Sequence, residues 1–245
     1  MAATGPRRRR TASTATGPRP VPVLVTDGPG QVLCWDITWL PGAFRGVRWA
    51  LYLIIDLFSR MIQGWTIQDR EDHHTATDLM RAVIIDQNGR VRTVHSDNGA
   101  VMTSRMMKKL FTDHNIVQSL IRPGVSNDNA QSESLFRTVK YGPAWPGVFS
   151  DIDHATGWFA DFVEDYNLRH HHTGLAGFTP ASVYHGTWTT VARARQATLT
   201  AAWQAHPERY RRPPQVRHPP DTVTLNLASH GHTHTPPTLT QLLTN

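Results

Sequence analysis

The 245-residue sequence predicts an α/β fold, and three observations predict it. A block rich in Trp, Ile, Leu, Tyr and Thr alternates with period two from Gln31 to Asp69, the period then switches to helical spacing, and short strand-like and helical segments take turns down to about residue 168. Breaks at Pro41-Gly42 and near Asp56 to Ser59 divide the first block into three strands. Over residues 73–87, Leu79, Met80, Val83 and Ile84 recur at helical spacing, and Asn88-Gly89 stops the run. A strand at 91–96, a helix around 103–114 carrying Met106, Met107, Leu110 and Phe111, and a strand from Ile116 to Ile121 follow. Helical patterning returns at 128–141 and at 151–168, where Trp158, Phe159, Phe162, Val163 and Tyr166 make a core face. The order is β-β-β-α-β-α-β-α. Beyond Tyr184 the pattern weakens to a helix at 189–205, a Pro/Arg linker and a short strand, Val223 to Leu227.

This organisation predicts a single core at 25–187, a disordered basic arm at 1–24, and a C-terminal part at 188–245 made of helix, linker, short strand and disordered tail. A membrane is not an expected partner. The longest apolar run, Trp49 to Ile55, falls far short of the roughly 20 residues that cross hydrocarbon, and the arm lacks the apolar segment of a secretory leader. Cys34 is the only cysteine, which excludes an internal disulfide and makes cytoplasm the expected compartment.

The net charge of +6 is unevenly placed. Residues 1–20 carry five arginines and no acid, and residues 191–220 carry six arginines against Glu208, so +6 less +5 and +5 leaves −4 on the remainder. An acidic body between basic ends suits a centre that concentrates divalent cations while its flanks hold phosphates. A solvated arm and linker would show the same charge pattern.

Three carboxylates stand in separate contexts that suit such a centre. Asp36 lies within the apolar stretch Val32 to Trp39, where alternation puts Cys34, Asp36 and Thr38 on one face and Leu33, Trp35, Ile37 and Trp39 on the other. A charge there is costly unless a cation meets it. Asp97 follows a strand's end, where open α/β sheets gather ligand groups, although Asp97-Asn98-Gly99 alone is also an ordinary turn. Glu133 lies on a helix started near Ser126, Asn127 or Asp128 and ended near Gly142, sharing a face with Arg137 and Lys140. A surface Glu–Arg pair is the plainer reading of that face. The functional reading gives Glu133 to metal and Arg137, Lys140 and Asn129 to DNA. Two-metal phosphoryl transfer needs carboxylates from different elements holding two ions roughly 3.5–4 Å apart, and carboxylates suit Mg²⁺ or Mn²⁺.

The segments Trp35-Asp36-Ile37-Thr38, Tyr52 to Arg60, His95-Ser96-Asp97-Asn98-Gly99, Asn127 to Phe136, and Tyr166-Asn167 followed by His170, His172 and Thr179-Pro180 together resemble the catalytic core of bacterial insertion-sequence transposases related to retroviral integrases. The resemblance implies a ribonuclease H-like fold, a mixed five-stranded sheet flanked by helices, with an Asp-Asp-Glu triad at Asp36, Asp97 and Glu133. It implies DNA strand cleavage and strand transfer in transposition, with two Mg²⁺ or Mn²⁺ ions, on transposon ends and target DNA, by a homo-oligomer assembled on DNA. It also implies a helix-turn-helix segment upstream, where this chain has an arginine-rich stretch. A nuclease of the same fold that cuts without joining, and an inactive DNA-binding remnant, are the alternatives.

The histidines suggest other sites less well. His170 to His172 and His230, His232 and His234 match no zinc-finger spacing beside a single cysteine. His95, Ser96 and Asp97 do not make a hydrolase triad, because neighbours on a strand point to opposite faces.

Overall fold

The computed structural model describes residues 21–122 and 126–226, and the described residues form seven strands and six α-helices. In chain order the strands are β1 (Leu24–Thr26), β2 (Val32–Pro41), β3 (Arg48–Asp56), β4 (Ile62–Gln68), β5 (Thr93–Ser96), β6 (Val117–Leu120) and β7 (Val223–Leu225). The helices are α1 (His73–Asp86), α2 (Arg105–Asp113), α3 (Ala130–Tyr141), α4 (Ile152–Leu168), α5 (Pro180–Tyr184) and α6 (Trp188–Ala205). Five strands make a mixed sheet in the order β4-β3-β2-β5-β6: β2, β3 and β4 form an antiparallel meander, while β5 and β6 run parallel to β2. This is a ribonuclease H-like arrangement.

Alternation along β2 decides the layering. Leu33 and Trp35, with Ile37 and Trp39 packed against them, face α1 and α2 in a core that includes Met80, Val83, Met107, Leu110 and Phe111. On the opposite side, Leu40 joins Leu51, Leu53 and Ile55 of β3 under α3 and α4, through Leu135, Val139, Phe159 and Tyr166. Helix starts fall where short polar side chains satisfy free N–H groups. Asp72 accepts from Thr75 N at 2.8 Å, Ser104 from Met107 N at 3.2 Å and Asp151 from His154 N at 2.7 Å. A 3₁₀ turn, Ser126–Asn129, leads into α3.

Two buried polar side chains hold the meander in place. The Asp56 carboxylate, fully buried, accepts from Gly30 N at 2.8 Å, Ser59 N at 2.8 Å and Ser59 Oγ at 2.6 Å. It thereby ties the β3–β4 turn to the segment entering β2. Asn167, near the end of α4, accepts from Ile62 N at 2.9 Å and donates to Ile62 O at 3.1 Å, so the helix supplies the partner that edge strand β4 lacks on its outer side.

The sequence leaves two features unannounced. Leu24, assigned to the arm by composition, opens β1, which pairs antiparallel with β7 and packs with Val32, Cys34 and Leu57. The beginning and the end of the described chain thus meet on the core. Residues 1–20 of the arm expected at 1–24, and residues 227–245 of the C-terminal part expected at 188–245, lie outside the described residues. The five-residue helix α5, started by Thr179 with Pro180 in its first turn, was not marked by any periodicity. Asn167→Ala removes both Ile62 bonds inside the protein, and about 2–4 kcal/mol of stability should be lost with them. Urea unfolding with an unchanged slope would confirm that size, and a midpoint equal to the parent's would refute it.

Candidate active site

Strand register brings the first two carboxylates toward each other. In the parallel β2–β5 pair, Val32 lies opposite Thr93, Leu33 opposite Val94 and Cys34 opposite His95. The same register continued two places past its last pair sets Asp36 beside Asp97, where β5 has ended while β2 runs on, so that a gap can open between them. Asp97 Oδ1 accepts from Gly99 N at 2.9 Å, the Asx turn its sequence suggests, and the side chain remains half-exposed.

Helix α3 is pinned across β2 at two points on either side of Glu133. Asn129 Nδ2 donates to Asp36 Oδ2 at 3.2 Å, and Lys140 Nζ donates to Thr38 Oγ1 at 2.7 Å. Helical spacing puts Asn129, Glu133, Arg137 and Lys140 on one stripe, so the face that meets β2 is the face that carries Glu133. Glu133 itself is exposed on the first turn of α3, and Arg137 is exposed beyond it. Asn129, expected among the DNA contacts, is only 3% exposed and is spent on Asp36, so the correction is from phosphate contact to carboxylate partner.

Electrostatics shows how tightly the groups are coupled. Burial pushes the Asp36 carboxyl up to about 7 against the opposing bond from Ile37 N, and the charges of Asp97, Glu133 and Glu71 raise it further. Burial also lowers the Lys140 ammonium, which the Asp36 charge partly offsets. The set of donors suits a hard divalent ion: carboxylate oxygens that repel one another, beside a buried amide oxygen, Asn129 Oδ1, that has no hydrogen-bond partner. Among the described residues no three His, Cys, Asp or Glu side chains stand close enough together to enclose an ion. The carboxylates share a neighbourhood with Glu133 at its open side.

A second polar network, missed by sequence reasoning, sets the position of α3. The Asp128 carboxylate, 2% exposed, takes a two-pronged bond from Arg122, with Nε to Oδ2 at 2.9 Å and Nη2 to Oδ1 at 3.0 Å, and a further bond from Arg122 N. His95 Nε2 lies 2.8 Å from the Asp128 carbonyl oxygen and Nδ1 2.9 Å from Ser119 Oγ. A carbonyl only accepts, so Nε2 carries the proton and Nδ1 receives the Ser119 hydroxyl. Burial lowers the His95 pKa and keeps the ring neutral. His95 thus links β5 and β6 to the turn that starts α3, and it is unavailable to Ser96 or Asp97, as strand alternation predicts. The sequence hint was His95 standing two residues before Asp97 with Asp128 one residue before Asn129, but their pairing spans residues far apart in the chain.

The other expected histidine cluster lies away from the carboxylates. His170 stacks on Tyr166 with ring centroids 5.3 Å apart, and His172 Nδ1 accepts from Gly174 N at 3.0 Å to start a 3₁₀ turn. His230, His232 and His234 lie outside the described residues.

Comparison with known proteins agrees with this fold. Two family models, both described as integrase core domain, match residues 26–126 and 114–180. Similar curated proteins include the putative transposase InsK for insertion sequence element IS150 of Escherichia coli, 27% identical over 65% of this chain and 56% of that protein. The transposase InsF for insertion sequence IS3A of the same species is 31% identical over 62% of this chain and 53% of that protein. Among solved structures, the simian T-cell lymphotropic virus intasome in complex with PP2A regulatory subunit B56 gamma is similar in fold, with a TM-score of 0.55 at 17% identity over 71% of this chain and 60% of that chain. The chain belongs to the integrase core domain family, and what has been described is a catalytic core of the transposase and integrase type. It spans a little over half the length of the curated relatives it matches.

His172 gives the metal-free protein a pH dependence. Burial first, then the Arg60 and His170 charges, hold its pKa at about 4 in the folded state, against roughly 6.5 when unfolded. The unfolded chain therefore binds the proton first, so His172 makes stability fall as pH drops below about 6.5, with the loss complete near 4. Thermal unfolding of His172→Asn beside the parent across that window should show a shallower acid slope in the variant. Parallel slopes would refute the assignment.

Proposed function

We propose that this protein is a transposase catalytic core that cuts DNA strands and joins the freed 3′ ends to target DNA, with Asp36, Asp97 and Glu133 as its metal-holding carboxylates. The observation that carries the reading is the double pinning of α3 across β2, Asn129 to Asp36 and Lys140 to Thr38, with Glu133 on the stripe between them. Family membership and the similarity to bacterial insertion-sequence transposases support the same reaction class.

Each residue then has a role. Asp36, midway along β2, and Asp97, just past the end of β5, hold divalent ions, and Glu133 closes the open side from the helix. Asn129 fixes the Asp36 carboxylate through Nδ2 and leaves Oδ1 turned loose beside it. Lys140, half-buried against Thr38, and the exposed Arg137 meet DNA phosphates along α3. Mg²⁺ or Mn²⁺, two ions in this reading, would supply charge neutralisation and an activated oxygen nucleophile without a side-chain base. No covalent enzyme–DNA intermediate is needed. The partners are the element's ends and target DNA, and joining two ends calls for more than one copy, in keeping with an intasome among the structural relatives. No helix among the described residues is long and apolar enough to cross a membrane.

Two measurements test this. Saturating Mn²⁺ should raise the thermal midpoint of the parent by binding the folded state alone, and should leave Asp36→Asn unmoved; equal shifts in both proteins would remove Asp36 from the metal site. With pre-cut 3′ ends as substrate, Asp97→Asn should lose strand transfer by at least about a hundredfold while keeping the parent's circular dichroism, since a metal-holding carboxylate stabilises several kcal/mol of transition-state charge. Branched products at the parent's rate would defeat the triad, and a parent that cuts without ever branching would indicate a nuclease instead.

A further inference from the structure

The β2–β5 pairing ends at Cys34 and His95, so beyond the carboxylates that edge of β2 has no strand partner until Pro41 O accepts from Phe149 N at 3.0 Å. Along that edge lies an open cavity of about 740 Å³ whose lining includes Trp39, Arg48, Lys140, Tyr141 and Trp145. Its size is that of a small-ligand site, but its chemistry is of another kind. On one lip the Arg48 guanidinium lies over the Trp39 ring, 4.3 Å from the centroid, a flat cationic platform. On the other lip Tyr141, at the end of α3, is 82% exposed, beside Lys140. Trp145 packs edge-on against Phe149 and Trp158 and makes the floor rigid. The cavity contacts the candidate active site through one residue, since Lys140 lines it and also bonds Thr38, two positions from Asp36.

Flat rings and cations alternating along a groove fit a polyanion that carries exposed aromatic faces. Single-stranded DNA has both, whereas the bases of a duplex are already stacked on one another and offer their faces to nothing. The cations also argue against the chain's own arginine-rich residues 1–20 as occupant. We propose that this groove holds an unpaired stretch of the DNA strand that enters the active site, with bases stacked on the Arg48–Trp39 platform and on Tyr141 and phosphates against Arg48 and Lys140. The proposal rests on the catalytic reading for its location but not for its measurement. It makes end-fraying part of substrate recognition: a DNA end that opens easily is bound better than one that does not.

Fluorescence anisotropy of the full chain, in chelator so that no chemistry occurs, compares a labelled blunt duplex with the same duplex bearing a short unpaired extension. The parent should prefer the extended duplex by at least about fivefold, the low end for one base–aromatic stack. Tyr141→Ala and Arg48→Ala should each bring the preference close to one, Tyr141→Phe should keep it, and all three should unfold at the parent's temperature because both side chains are exposed. No preference in the parent, or the full preference in both alanine variants, overturns the proposal. So does a Tyr141→Ala variant that instead converts a self-associated parent to monomer in sedimentation, which would give this face to a second copy. Asp97→Asn should retain the preference. If strand transfer is absent from the parent while the preference persists, the catalytic reading alone fails; if strand transfer proceeds without any preference, the groove alone fails.

Discussion

A carboxylate placed on an interior strand is expensive to keep ionised, and the arrangement of this protein around β2 follows from that cost. Asp36 is set into a strand whose other face is filled by Leu33 and Trp35, so the strand cannot turn its charge to water without exposing that core. The protein meets the demand with only two donors, the amide of Asn129 and the Ile37 N–H, while Asp97 and Glu133 add to the repulsion. In the proposed reading, carboxylates that repel one another in the absence of a cation are poised to accept one.

The two sides of the sheet divide that labour. The α1–α2 side is an apolar layer with tight contacts such as Met80, Met107 and Phe111, and nothing chemical is asked of it. On the α3–α4 side the aromatic column of α4, from Trp158 through Phe162 to Tyr166, closes the apolar layer, which Leu135 and Val139 of α3 join. Where α3 crosses β2 the contact becomes polar, and the polar contacts are directional bonds that set the helix's rotation as well as its distance. Arg122, Asp128 and His95 serve the same end from the helix's N-terminal side. The role proposed for Glu133 needs the helix's rotation fixed, and bonds at both ends achieve this where non-directional packing would not.

Much of the fold was legible along the chain because its elements are written in local periodicity. The meander, the helix after it, and the strand-and-helix alternation to residue 168 were expected within a few residues of their observed bounds, down to Ser104 and Asp151 as helix starts in the structure. The face assignment of β2 followed from period two alone. The strand β7 was expected within Val223 to Leu227, but β1 was hidden because three residues show no period, and the pairing joins segments about two hundred residues apart in sequence. Asn129 was expected among the DNA contacts, and its bond to Asp36 was hidden for a related reason. Its neighbours in sequence are polar, whereas its neighbour in space is a carboxylate ninety-three positions earlier.

Residue types and their order along the chain by themselves determined the class of fold, the strand that bears Asp36, and the three acidic residues to suspect, since each depends on alternation, turn chemistry or the cost of a charge among apolar neighbours. Only the tertiary structure decided which helix face meets β2, that His95 and Asp128 position α3, and that an aromatic, cationic groove continues from the site along β2. Those are properties of distance and angle between segments remote in sequence. Hydrogen bonds act over about 3 Å and in one direction, so their partners are chosen by the folded backbone and leave no periodic trace along the chain.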